Sequence, residues 1–147
     1  MTKKEVLLNF IEFNPQRFLK ESKTWASKLK EIEKEIAGIP ELPAIESSGV
    51  MSSGISDLTF NTAIKRMKLE NDRQYYLTCI EILDWAMSHI PSFDRELIEG
   101  FFFPKISIYN FVEDFGRDNG LCRSDVYAAR REALENFNEI ISTKYGL

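Results

Sequence analysis

Apolar residues recur along most of the chain in steps of three and four positions, the spacing of one face of an α-helix. The clearest run follows Asn14 and Pro15, a pair typical of a helix start, because asparagine accepts hydrogen bonds from free amides and proline suits the first helical position. Its seam alternates three and four like a coiled coil, and carries Phe18, Ser22, Trp25, Leu29, Ile32, Ile36 and Ile39. Gly38 and Pro40 predict its end. A shorter helix is expected before it, over Val6, Leu7, Phe10 and Ile11.

The pattern changes in residues 40–56, where the tripeptide SSG occurs twice. Short clusters of serine and glycine of this kind are typical of a linker or loop. The alternative is an ordered loop packed by Ile45, Val50 and Ile55. Helical spacing resumes near Asp57 and predicts either one long helix or two in series with a break at Asn71-Asp72.

The last third of the chain predicts three helices. The first starts after Pro91 with Ser92 as its N-cap, and the second runs from Ile108 to Phe115 with Gly116 as its C-cap. The letters RDNGLC predict a turn, after which Ser124 caps a third helix. The apolar stripe of that helix is Val126, Ala129, Ala133, Phe137, Ile140 and Ile141.

These elements predict an all-α fold, because alternating strand patterns are absent from the sequence. The expected parts are a coiled-coil-like helical segment at 1–39, a linker or loop at 40–56 and a helical domain at 57–147. Within that domain, region 93–141 has the short-helix, turn, longer-helix layout of a helix-turn-helix unit. The predicted turn, 116–123, is longer than the roughly three to four residues usual for this motif.

A helix-turn-helix reads DNA with the outward face of its last helix, where small, polar and basic side chains reach phosphates and base edges. With Val126 at the centre of the buried face, this reasoning selects Arg123, Ser124, Tyr127, Ala128, Arg130 and Arg131. Arg130 lies nearer the core face, so its guanidinium is expected either to reach out past Ala133 or to pair with Asp125 or Glu113.

Charge modifies this picture. The chain has 147 residues, with 19 Lys and Arg against 23 Asp and Glu, and its formal net charge is −4. By segment the net charge is +2 for residues 1–39, −3 for 40–92 and −3 for 93–147. Binding to DNA phosphates is therefore expected to be modest and sensitive to salt. The sequence has no apolar run near 18 residues and no secretory signal, so we expect neither a membrane partner nor export.

Few residues offer catalytic chemistry. The single histidine, His89, falls in the last turn of a predicted helix, where a cation is favourable. Two cysteines, Cys79 and Cys122, are too few for a four-cysteine zinc site. Glycine-rich phosphate-binding motifs are absent. We therefore expect no enzyme, no cofactor and no metal; carboxylates that converge in space remain the enzymatic alternative.

The last third also carries a longer sequence pattern. A helix opens with Arg95-Glu96-Leu97-Ile98 and ends in three phenylalanines at 101–103, and the third helix begins with Ser124 and Val126 and continues to Ala133-Leu134. On these residues the stretch 93–137 resembles the C-terminal region of the ArpU/RinA-type phage transcriptional regulators, which look like relatives of sigma factor region four. The turn RDNGLC is longer than the family's.

The resemblance implies a DNA-binding regulator of phage late genes, acting in the cytoplasm of a bacterial host cell. Its implied partners are double-stranded DNA and host RNA polymerase, and a homodimer through the N-terminal helix would suit paired half-sites. The alternative is a non-enzymatic protein-interaction module that acts through the coiled-coil-like helix of residues 1–39.

Overall fold

The computed structural model describes residues 2–8, 13–40 and 57–147, and within these ranges the chain forms helices and no strands. The all-α fold class is thus confirmed. The helices are α1 (Lys3–Leu8), α2 (Pro15–Ala37), α3 (Asp57–His89), α4 (Ser92–Phe102), α5 (Ile108–Asn119) and α6 (Arg123–Tyr145). The expected roles of Phe10, Ile11 and the stretch 41–56 lie outside the described residues.

The ends of the long helices follow local chemistry. The side-chain oxygen of Asn14 accepts hydrogen bonds from the amides of Gln16 and Arg17 at 3.0 and 3.2 Å, so the predicted start of α2 is confirmed. The helix α3 runs without a break through Asn71 and Asp72, which decides between the two alternatives in favour of one long helix. The start of α4 differs, because Pro91 occupies the N-cap and Ser92 is already helical.

The chain forms two compact units. The first, which we call the terminal unit, consists of the described residues of Met1–Trp25 together with Thr78–Leu147. The second, the middle unit, is Ala26–Leu77. Each unit therefore takes parts of both α2 and α3, whereas the sequence pattern had suggested segments that change at 39/40 and 56/57.

The terminal unit has a continuous apolar core. Phe18 is fully buried; its ring centroid lies 4.9 Å from that of Trp25 and 6.1 Å from that of Phe137. Burial of such side chains contributes roughly 1.5–3 kcal/mol each. The predicted stripe of α6 is largely confirmed: it is buried at Val126, Ala133, Phe137 and Ile141 and half-buried at Ala129 and Ile140.

The described part of the middle unit has no such core. None of its described side chains is fully buried, and the seam residues Leu29, Ile32 and Ile36 are half-buried. Within the unit, Arg73 Nε lies 3.4 Å from Glu33 Oε1, and Lys28 Nζ lies 5.7 Å from the centroid of the Tyr76 ring. The described part of α3 also exposes three large apolar side chains at helical spacing, Phe60, Ile64 and Met67.

Candidate nucleic-acid interface

Both α4 and α5 pack against α6 within the terminal unit. The buried carboxylate of Asp94 on α4 accepts a 2.8 Å hydrogen bond from the side-chain amide of Asn136 on α6. Such a bond restricts the placement of α6, because moving the helix would leave a buried carboxylate without its partner. Packing against α4 and α5 therefore holds α6 in a defined orientation.

The turn between α5 and α6 is shorter than the sequence suggested. The helix α5 continues to Asn119, and only residues 120–122 separate it from α6. Gly120 adopts the left-handed conformation with φ of 66°, and the amide of Leu121 donates to the Gly116 carbonyl at 2.7 Å. This is the Schellman pattern that ends many helices. The prediction of an extended turn over 116–123 is wrong, and the observed length is usual for a helix-turn-helix.

Gly116 has a role other than the predicted C-cap. It is a buried helical residue, and a Cβ atom there would lie 2.6 Å from the Leu121 carbonyl oxygen and 3.4 Å from Val126 Cγ2. The absence of a side chain lets the end of α5 approach the start of α6. The glycine is explained by this close approach and not by helix termination.

The first turn of α6 also differs from expectation. Cys122 occupies the N-cap, and Ser124 is the second helical residue, so the prediction of Ser124 as N-cap is wrong. The Cys122 thiol lies 3.0 Å from Asp125 Oδ2, to which it donates, and 3.2 Å from Ser124 Oγ. The N-cap side chain accepts no hydrogen bond from the helix amides. Asp125 lies in the first turn of α6, where a negative charge is favourable.

The structure places most of the predicted DNA-binding residues on the surface of the first turns of α6. Arg123, Ser124 and Arg131 are exposed, and Tyr127 is 37% exposed. Ala128 is half-buried. Arg131 forms no ion pair with any residue of the described ranges, so its charge is available to a ligand.

Arg130 has different surroundings. Its guanidinium carbon lies 5.1 and 5.3 Å from the centroids of the Phe101 and Phe102 rings on α4. Its Nε is buried and has no hydrogen-bond partner among the residues that the structure describes. The predicted alternative of a pair with Asp125 or Glu113 does not form, and Asp125 instead accepts from Cys122. Because Arg130 lies near the core face of α6, as the sequence predicts, its side chain packs against these aromatic rings.

Charge at this surface is mixed. The exposed charged residues of the first turns are Arg123 and Arg131 on one hand and Asp125, Glu132 and Glu135 on the other. A continuous basic ridge, which would give strong binding to phosphates, is therefore not formed by α6 alone. Any nucleic acid bound here would be held by a few arginine contacts.

Sequence reasoning missed an aromatic neighbour of these arginines. Tyr109, at the start of α5, is 57% exposed, and the guanidinium carbon of Arg123 lies 5.0 Å from the centroid of its ring. Its phenol is a hydrogen-bond donor on the same surface as the start of α6. Because 14 positions separate the two residues, periodicity within one helix could not reveal this contact.

Other kinds of site find little support in the described residues. Groups of three or more histidine, cysteine or acidic side chains able to hold a metal ion do not occur in that part of the chain. The helices found there include none long and apolar enough to cross a membrane. Cys79 is buried and Cys122 is exposed, and the two do not form a disulfide.

The candidate site thus has three parts. A short turn joins α5 and α6, and arginine and tyrosine side chains lie on the surface at the start of α6. Aromatic rings pack against Arg130 on the inner side. Comparison of the chain with protein-family models, curated proteins and solved structures found no match.

Proposed function

We propose that this protein binds double-stranded DNA through the first turns of α6 and acts as a transcriptional regulator. The observation that carries the proposal is the three-residue turn between α5 and α6, closed by Gly120 and by the contact at Gly116. A turn of this length is typical of helix-turn-helix units, in which the second helix of the pair enters the major groove.

The side chains on α6 support the same proposal. Arg131 is exposed and without an ion pair in the described ranges, and a guanidinium can bond to a guanine edge or a phosphate. Arg123 and Tyr109 lie side by side and can contact a neighbouring phosphate. Ala128 is half-buried and has a small side chain, so DNA bases can approach the helix surface closely.

The acidic balance of the chain sets the expected strength. The net charge is −4, and the first turns of α6 expose the acids Asp125, Glu132 and Glu135 beside its arginines. We therefore propose moderate affinity that decreases with salt, strengthened by a second DNA-binding copy or by a polymerase partner. More specifically, we propose a regulator of phage late genes that binds promoter DNA beside host RNA polymerase in the bacterial cytoplasm. This part of the proposal rests on the resemblance of residues 93–137 to the ArpU/RinA-type regulators.

The test is fluorescence anisotropy of labelled phage promoter fragments and of a random-sequence duplex, at about 50 mM salt and micromolar protein. Arg131→Ala is expected to weaken binding by about 5- to 100-fold, since one good arginine contact to DNA contributes about 1–3 kcal/mol. Lys68→Ala in the middle unit removes one exposed positive charge as well and serves as the matched control. It is expected to change affinity less than about twofold.

Two results would refute the proposal. One is the absence of binding to every promoter fragment at low salt and micromolar protein. The other is an equal loss of affinity in Arg131→Ala and Lys68→Ala, which would mean that only total charge matters. A reduction of the salt slope by about one in Arg131→Ala, and none in the control, would identify a phosphate contact.

A second candidate function is that of a protein-interaction module, for which the middle unit is the supporting observation. Its seam residues Leu29, Ile32 and Ile36 are half-buried, and Phe60 and Ile64 on α3 are exposed. Apolar surfaces of this kind favour association, including a homodimer through the N-terminal helix. Sedimentation equilibrium of the wild type and of Ile32→Lys tests it: a dimer that becomes a monomer supports the proposal, and a wild-type monomer at all concentrations contradicts it.

A further inference from the structure

A groove between α4 and α5 lies within the terminal unit and contains no residue of α6. Its volume is about 260 Å³, and Gly100, Phe103, Ile106 and Phe111 provide its apolar lining. The groove depends on the glycine, because a Cβ at position 100 would clash with the Phe111 ring. The surface is therefore a built feature of the α4–α5 packing and does not belong to the DNA-binding surface on α6.

With about 260 Å³, the groove is smaller than most small-molecule sites, which usually enclose about 300–1,000 Å³. Its apolar area continues onto the surface, where Ile106 is 49% exposed and the nearby Ile108 is 43% exposed. Contiguous exposed apolar surface favours contact with another macromolecule. The groove thus suits a side chain of a macromolecular partner.

Charge at the groove identifies the chemistry of that partner. Glu96 and Glu99 lie three positions apart on α4, so they occupy the same helix face, and both are exposed. Neither forms an ion pair within the described ranges. Lys105, in the loop after α4, is the single positive residue that lines the groove. Two unpaired carboxylates beside an apolar surface repel DNA phosphates and attract lysine or arginine.

We infer that this groove is a docking site for a basic amphipathic helix of a protein partner. The partner places a large apolar side chain between Phe103 and Ile106, and its lysine or arginine residues, spaced three or four positions apart, contact Glu96 and Glu99. Because the apolar contact and the charge contact use adjacent surfaces, the groove selects a helix that carries both, which is the helix-in-groove mode of recognition.

The experiment uses the full chain and a labelled model helix of leucine, lysine and alanine, with leucine and lysine at helical spacing. A second peptide with glutamate in place of lysine measures the charge preference. Binding is followed by fluorescence anisotropy, and the site is located by amide chemical shifts of isotope-labelled protein. We expect the lysine peptide to bind and to shift the amides of Gly100, Ile106 and Phe111, and the glutamate peptide to shift none of them.

Variants separate the groove from the general acidity of the chain. The double change Glu96→Gln and Glu99→Gln is expected to weaken the lysine peptide about three- to tenfold, through loss of two surface charge pairs. The matched control is Glu31→Gln with Glu35→Gln on α2, which changes the net charge equally at two exposed positions. It is expected to alter binding less than about twofold. All four side chains are exposed, so both proteins should fold.

The inference is overturned if both double variants weaken binding equally, if the glutamate peptide binds as well, or if the shifted amides lie elsewhere. It is also overturned if duplex DNA shifts Gly100, Ile106 and Phe111, because the groove would then belong to a nucleic-acid surface. Arg131→Ala, which tests DNA binding, is expected to leave peptide affinity unchanged. Failure of the groove and failure of the DNA-binding proposal can therefore be told apart.

Discussion

The guanidinium carbon of Arg130 on α6 lies 5.1 Å from the centroid of the Phe101 ring on α4. This contact and the similar one with Phe102 hold the side chain against the interior, with its Nε buried. A cation against two aromatic faces is attracted by their quadrupoles, and the aliphatic part of the arginine adds packing. Arg130 thus supports the position of α6 on α4 more directly than it reaches a ligand.

We expect Arg130→Ala to lower the free energy of unfolding by about 1–3 kcal/mol, because it removes both the cation–π contacts and the packing. Arg130→Lys should be intermediate, since lysine keeps the charge without the planar group. Urea denaturation followed by circular dichroism measures both variants. Arg131→Ala, on the exposed side of the same helix, is the control and should change stability by less than about 0.5 kcal/mol.

A contrary result is equally informative. If Arg130→Ala leaves stability unchanged but abolishes DNA binding, Arg130 acts as a ligand-contacting residue, as the sequence pattern suggested.

The close approach at Gly116 predicts a second stability effect. Gly116→Ala would place a Cβ 2.6 Å from the backbone oxygen of Leu121, an atom that cannot move without disturbing the turn. Although alanine favours helices by about 1 kcal/mol over glycine, we expect net destabilisation by about 1–3 kcal/mol from this overpacking. Thermal unfolding of the variant measures the loss, and DNA affinity should fall with it because α6 is displaced.

The control for this change is Gly38→Ala, after the end of α2. A Cβ there would have its nearest neighbours at 3.6 Å, an ordinary van der Waals distance. Its stability should therefore stay within about 0.5 kcal/mol of the wild type. If Gly116→Ala proves as stable as Gly38→Ala, the turn is more compliant than its geometry indicates.

The buried face of α6 and the role of Gly116 show what the sequence could and could not predict. The three- and four-residue spacing correctly identified the buried face of α6, including Val126 and Phe137, because helix geometry fixes which side chains share a face. The prediction of Gly116 as a C-cap is wrong. A glycine near a helix end indicates either a left-handed cap or a close approach, and only the neighbouring backbone decides between them. The cap lies four residues later, at Gly120.

The candidate site shows the same limit. The outward placement of Arg123 and Arg131 followed from their angular positions on one helix. The aromatic partners of Arg123 and Arg130 did not, because Tyr109 and Phe101 lie on other helices and meet them only after folding. Local periodicity specifies faces, whereas contacts between helices depend on the packing angle, which no short sequence pattern records.

The link between Asp94 and Asn136 provides a third prediction. The carboxylate is only 6% exposed and accepts a 2.8 Å hydrogen bond from the amide. Asn136→Ala should lower the free energy of unfolding by about 1.5–3 kcal/mol, the usual range for a hydrogen bond to a charged group. Asn136→Asp should be more harmful, because it places a second carboxylate beside the first.

The two variants differ in their dependence on pH, which serves as an internal control. Acidification protonates one carboxyl of the introduced pair and relieves the repulsion, so the deficit of Asn136→Asp relative to Asn136→Ala should shrink as the pH falls. Urea denaturation across the acidic range measures it. A deficit that is the same at every pH would show that the two carboxylates do not interact.

A fourth prediction concerns the stability of the terminal unit at alkaline pH. Burial raises the pKa of the Tyr145 phenol, and the hydrogen bond to Glu81 raises the pKa of the Lys3 ammonium, with the Nζ and Oε1 atoms 3.0 Å apart. Both groups bind their protons more tightly in the folded chain than in the unfolded one. Their contribution to the free energy of unfolding is therefore fully present below the pKa values that these groups have in the unfolded chain, about 10 to 10.4. It is lost as the pH rises further.

We accordingly expect the free energy of unfolding to decrease above about pH 10. Tyr145→Phe keeps the ring that lies 5.9 Å from Trp85 and removes the titrating hydroxyl, so its alkaline decline should be shallower than that of the wild type. Glu81→Gln should also flatten the decline, because it removes the carboxylate that raises both pKa values. Guanidinium denaturation at neutral and alkaline pH makes the comparison, and parallel declines in all three proteins would assign the alkaline loss to other groups.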